Sequence, residues 1–247
     1  MKSSHLILPA LLLLSLGCSH SQKNNAAETP PTTQPSVAPA VAEGPVSLKI
    51  VSPTQNEVVK TSDVPVTFDL KNYEVQPDGQ HIHVILDNEP YQPCYSVKEP
   101  FLLKGVKPGI HTLRAFPARA WHESIKDPEA FASVTFYVEK KKGKAPVNFE
   151  SDQILTYSRP KGKYEGEKAN KILFDFWVKN SELSPNGNQV RYKLDNDDTK
   201  TLSEWKPTYF ENLAAGKHKL VIDLVNKKGK PVKGKYNHTE REFEVQK

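Results

Sequence analysis

The stretch 81–88, HIHVILDN, recurs at 189–196 as QVRYKLDN. Turn-forming residues precede each copy, QPDGQ at 76–80 and SPNGN at 184–188. Similar runs lie before and after them: FDLKN (68–72) and FDFWVKN (174–180), then GIHTLRAF (109–116) and GKHKLVID (216–223). The chain therefore reads as two copies of one module. Alternate residues of a strand point to opposite faces. One face carries Ile82, Val84 and Leu86 in the first copy and Val190, Tyr192 and Leu194 in the second, which marks it as core. The other carries His81, His83 and Ile85 against Gln189, Arg191 and Lys193. Polar replacement at all three positions predicts a face open to water, with His81 and His83 side by side about 7 Å apart.

Around this stretch, short apolar-alternating runs are separated by turn signals, and no long helical period interrupts them. This pattern predicts an all-β chain of two tandem immunoglobulin-like antiparallel β-sandwiches. The first module spans 45–139 and the second 147–247, joined by a basic linker at 140–146 that contains KKKGK. Each is large enough for its own core, though not by a wide margin.

The N-terminus belongs to neither module. MKSSH is a short basic start, Leu6 to Leu16 is apolar, and Gly17-Cys18 closes the segment. The apolar run is too short to span a bilayer, which takes about 20 residues. A cysteine after a small residue resembles a bacterial lipoprotein signal, 1–18, with Cys18 as the lipidated residue. Ser19 fits outer-membrane sorting, on either the periplasmic or the surface side. Residues 19–44 are rich in Pro, Ala and Thr and predict a disordered tether. Such a segment would span roughly 30 Å if fully flexible.

Residues 45–139 hold 9 Lys and Arg against 12 Asp and Glu, while 140–247 hold 23 against 15. An exported basic half suits an anionic surface or envelope glycan better than nucleic acid. Once Cys18 is lipidated, Cys94 has no intramolecular disulfide partner. The chain shows no G-x-S-x-G elbow, P-loop, H-E-x-x-H or C-x-x-C, so neither an enzyme nor a cofactor is expected.

Comparing the copies sorts the polar residues. His111 and His218 are shared, as are Asp87-Asn88 and Asp195-Asn196, which points to roles in the fold. His81, His83, Arg114 and the segment RAWHES (119–124) are confined to the first copy. They make His81, His83, Arg114, Trp121 and His122 the candidate ligand-binding residues. Two histidines at i and i+2 on one strand face can hold one transition metal. His122 and Glu123 are the candidate additional ligands, and Cys94 is a further option. Tyr91, Tyr95, Trp121, Trp205 and Tyr209 are loop aromatics of the kind found in packing and in recognition surfaces.

HIHVILDNEPY (81–91) with WHESIKDPEAF (121–131) resembles a module of bacterial envelope lipoproteins with immunoglobulin-like folds. ILTYSRPKGKYEG (154–166) resembles the second module of the same proteins, some of which are described as phosphopeptide-binding. The resemblance covers about 46–247 and implies the same fold and address. The expected protein is a lipid-anchored envelope component acting as a non-catalytic binding or structural module, with envelope proteins among its possible partners. One alternative is a copper- or zinc-binding protein using the His81/His83 face. Another is binding to an envelope glycan or anionic surface.

Overall fold

The computed structural model describes residues 44–247. The signal segment, Cys18 and all of the tether but Gly44 lie outside the described residues. Among these residues no helix is long and apolar enough to cross a membrane.

The first module has eight strands: β1 (Ser47–Ser52), β2 (Val58–Val59), β3 (Val64–Lys71), β4 (His81–Leu86), β5 (Gln92–Cys94), β6 (Phe101–Leu103), β7 (Gly109–Ala118) and β8 (Ala132–Val138). The second repeats them: β9 (Ile154–Arg159), β10 (Gly162–Glu165), β11 (Lys171–Lys179), β12 (Gln189–Leu194), β13 (Lys200–Leu202), β14 (Thr208–Glu211), β15 (Gly216–Val225) and β16 (His238–Gln246).

The sheets match strand for strand. The first module has a three-stranded sheet β1-β3-β6 and a five-stranded sheet β2-β8-β7-β4-β5. The second has β9-β11-β14 and β10-β16-β15-β12-β13. Even the single parallel pair in each recurs, β2 with β8 and β10 with β16. The chain is two tandem immunoglobulin-like β-sandwiches.

Each module closes on its own core. Ile82, Val84, Leu113, Ala115 and Phe136 fill the first, and Phe174, Phe176, Val190, Leu220 and Ile222 fill the second. The shared Asp and His form one device twice. Asp87 and Asp195 sit at φ 53° and 49°, left-handed values that suit a turn-forming Asp. Asp87 Oδ2 lies 2.9 Å from His111 Nδ1, and Asp195 Oδ2 lies 2.7 Å from His218 Nδ1. The other ring nitrogen donates to Lys107 O or Ala214 O. Each pair ties the turn after one strand to the start of its neighbour in the sheet, β4 to β7 and β12 to β15.

A third apolar cluster joins the modules. Ile85, Phe116 and Phe131 of the first pack with Trp177 of the second, and Trp205 packs against them. Trp177 meets Phe131 at 5.0 Å and Trp205 at 4.5 Å between ring centroids. Burying a side chain of this size contributes roughly 2–3 kcal/mol. The outer face of the first module's five-stranded sheet thus lies against the second module's three-stranded sheet.

This packing corrects the expectation of a wet histidine face. His81, His83 and Ile85 are all buried, whereas Gln189, Arg191 and Lys193 remain at least partly exposed. The copies share strands but not neighbours, so a polar residue in one did not report solvent in the other. Arg114 is likewise not a surface residue, at 0% exposed. Its Nη1 donates to Thr156 Oγ1 at 2.8 Å, and its Nη2 donates to Asp87 O and Asn88 Oδ1. The guanidinium carbon also sits 4.1 Å from the Tyr236 ring centroid. Burial pulls its pKa down to about 10, which still leaves it cationic at neutral pH. Arg114 therefore pins the modules together and stands apart from the histidines.

Candidate three-histidine centre at the module interface

The hydrophobic alternation of β4 turns His81 and His83 away from the first core and toward β9. His122 comes from a tight turn after β7, closed by His122 N–H to Arg119 O at 2.8 Å and Arg119 N–H to Glu123 O at 2.9 Å. At φ 70° His122 lies in the left-handed region, which turns the chain sharply there.

The three rings converge. His81 Nε2 is 3.0 Å from His83 Nε2 and 3.0 Å from His122 Nδ1, and all three nitrogens lie within 4.8 Å of one another. Two nitrogens bound to one tetrahedral zinc at about 2 Å would lie about 3.3 Å apart. The remaining ring nitrogens hold the orientation. His81 Nδ1 donates to Gly79 O at 2.7 Å. That carbonyl only accepts, so neutral His81 keeps its lone pair on Nε2. His83 Nδ1 is 3.1 Å from Ser158 Oγ of β9.

The arrangement is over-supplied with nitrogens. His81 Nε2 offers one lone pair to two neighbours at 3.0 Å, and only one of them can place a proton there. A metal ion would satisfy all three at once.

The surroundings keep these imidazoles neutral. Burial, then the other histidines and Arg159, pushes His83 well below the usual imidazole value. Burial, then Arg159, His81, Lys161 and Lys168, takes His122 down to about 3. His81 is lowered as well, by burial first, against the opposing bond to Gly79. Tyr91 stacks on His83 at 3.5 Å between centroids, and its hydroxyl is 3.2 Å from His122 Nδ1. Burial raises the Tyr91 pKa, so it remains a phenol.

The other predicted residues fall elsewhere. Glu123 Oε2 accepts from Trp121 Nε1 at 2.9 Å, and Glu123 Oε1 faces Arg119 Nε at 3.7 Å, so Glu123 is not grouped with the histidines. Cys94 donates to Ser96 O within the first core. Trp121 is 56% exposed and, with His122, lines a cleft of about 400 Å³ against the second module. Arg159, Lys163, Lys168 and Lys171 line the same cleft, together with Tyr209.

Several of these neighbours were not anticipated. Ser158, Arg159 and Lys161 come from ILTYSRPKGKYEG, and Lys161 Nζ donates to Tyr91 O at 2.6 Å. The two stretches that carry the family resemblance meet in space at this site. A signal was available: Thr156 and Ser158 in β9 replace Lys49 and Val51 of β1, just as the histidines are private to β4.

No family model and no curated protein matches the chain. Solved structures similar to it include the fibronectin(III)-like modules of Clostridium thermocellum CbhA, 12% identical over 81% of this chain and 94% of that one, TM-score 0.28. The central fibronectin-III array of RIM-binding protein is 11% identical over 83% and 71%, TM-score 0.29. Latent PorU from Porphyromonas gingivalis is 11% identical over 86% and 21%, TM-score 0.30. At these scores the likenesses carry nothing about ligands, and the architecture rests on strand order and register.

Proposed function

We propose that this is a lipid-anchored, non-catalytic binding protein of the cell envelope that holds a transition-metal ion between its modules. His81 Nε2, His83 Nε2 and His122 Nδ1 are the ligands. One observation carries the reading: three neutral imidazole nitrogens converge, and whichever neighbour gives His81 Nε2 a proton, the other brings a second nitrogen to within 3.0 Å of it. Imidazole donors suit copper and zinc. The address rests on the Leu6–Leu16 run and Gly17-Cys18.

Ligand positions would be set before the metal arrives. Gly79 O fixes the His81 tautomer, Ser158 orients His83, and Tyr91 limits ring rotation by stacking. Low pKa values spare the site from competition with protons at neutral pH. Three protein donors leave a tetrahedral metal one further position.

Calorimetric titration of the protein with zinc and with copper(II) tests this. One ion per chain is expected, and His122→Gln should weaken binding at least about a hundredfold without unfolding the protein. Absence of binding by either metal to the intact protein defeats the proposal.

A further inference from the structure

We propose that the three-histidine centre takes its metal together with a small polycarboxylate anion, seated in the basic cleft that opens at His122. The inference rests on the metal-binding reading and adds a second ligand to it.

The cleft touches the centre through His122, the one histidine of the three that is not fully buried. His122 lines it, opposite Arg159, Lys163, Lys168 and Lys171, and no carboxylate side chain is among its lining. Lys163 faces Glu165 at 3.7 Å and Lys171 faces Glu211 at 3.4 Å. Both are exposed pairs, which hold weakly and can turn to a ligand. Arg159 Nε is buried without a hydrogen-bond partner. Two large aromatics that remain exposed, Trp121 at 56% and Tyr209 at 37%, stand on this cleft.

Charge favours an anion beside the metal. Three neutral imidazoles leave a divalent ion's charge uncompensated, and the cleft surrounds that charge with more cations. A bare ion is repelled on its way in, whereas a metal bound to a polyanion is drawn in. One carboxylate would occupy the open metal position while the others reach the lysines. A cleft of about 400 Å³ is roomier than a single phosphate requires and suits a hydroxy-tricarboxylate such as citrate.

The test is calorimetry of the intact protein with citrate as probe, metal-free and zinc-loaded, preceded by a zinc titration without citrate. Citrate should bind the zinc-loaded protein one to one, at least tenfold tighter than the metal-free protein, and more weakly as salt rises. The double variant Lys163→Glu, Lys168→Glu should lose at least tenfold in citrate affinity. Its zinc affinity without citrate should be unchanged or higher, because two cations have left the neighbourhood. Zinc uptake with no citrate binding, or citrate binding indifferent to the double variant, overturns the proposal. So does citrate that merely strips zinc equally from wild type and variant. Inorganic phosphate binding as tightly as citrate overturns the assignment to a polycarboxylate. Failure to take up zinc appears in the citrate-free titration and defeats the metal reading separately.

Discussion

His83 Nδ1 lies 3.1 Å from Ser158 Oγ, across 75 positions of sequence and from one sandwich to the other. The orientation of an imidazole in the first module therefore depends on a hydroxyl of the second. Ser158→Ala should weaken zinc binding about tenfold while the fold persists, the size expected when a ligand loses its orienting partner. Isothermal titration checks this, and an unchanged affinity would mean that stacking on Tyr91 alone positions the ring.

Ligand identity separates His122 from its neighbour. His122→Gln should lower zinc affinity at least about a hundredfold, because one of three donors is lost. Glu123→Gln should leave affinity within about twofold, since that carboxylate is engaged with Trp121 and Arg119. Competition against a chromophoric chelator measures both, and comparable losses would place Glu123 on the metal.

Metal affinity should also be insensitive to mild acid. Three histidines at the ordinary value of 6.5 would lose roughly 600-fold in affinity between pH 7 and 5.5. Here His81 and His83 are lowered and His122 sits at about 3, so the loss should stay below about tenfold. A several-hundredfold loss would show that the rings titrate as exposed groups.

Stability should respond to pH in two opposed ways. For His81, His83 and His122 the unfolded chain binds protons first, near pH 6.5. Their effect is to make the fold less stable as pH falls from 6.5 toward about 3, and to leave it unaffected above 6.5. His111, raised first by its bond to Asp87, acts the other way. His218 does so too, because Asp195 outweighs the opposing burial. Their stabilisation is full below 6.5 and disappears as pH rises through their raised folded values. Urea midpoints followed across pH should show a shallower acid decline in His122→Gln and an unaltered one in His218→Gln. The reverse assignment would contradict the structure.

Arg114→Ala should cost about 3 kcal/mol, since it strands the oxygens of Thr156, Asp87 and Asn88 at a buried interface. Urea unfolding measures it. A loss under about 0.5 kcal/mol, the size seen for surface changes, would show that Arg114 does not tie the modules together.

The strands were legible because each copy repeats an alternation that only a half-buried sheet explains, and because Asp87-Asn88 and Asp195-Asn196 mark the same turn twice. The histidine pair was legible as private to β4. Its burial was not, because it depends on which outer face meets which. Trp177 held the clue. Asn72 and Asn180 end β3 and β11 with positive φ, and counting back from them puts Trp177 opposite Asp69. A large aromatic replacing a charge on an outer face indicates a partner surface. His122 was within view of the sequence argument, but a turn closing over β4 leaves no periodic trace.

The two sandwiches meet through unlike faces, the five-stranded sheet of one against the three-stranded sheet of the other. Such head-to-tail contact has no internal symmetry to close it and could in principle continue as an open stack. Both faces left over are unsuited to that. Gln189, Arg191 and Lys193 line the unused five-stranded face, and Lys49, Val51 and Asp69 line the unused three-stranded one. The duplication therefore yields one joint, and its ends are insulated by charge against growing into a fibre.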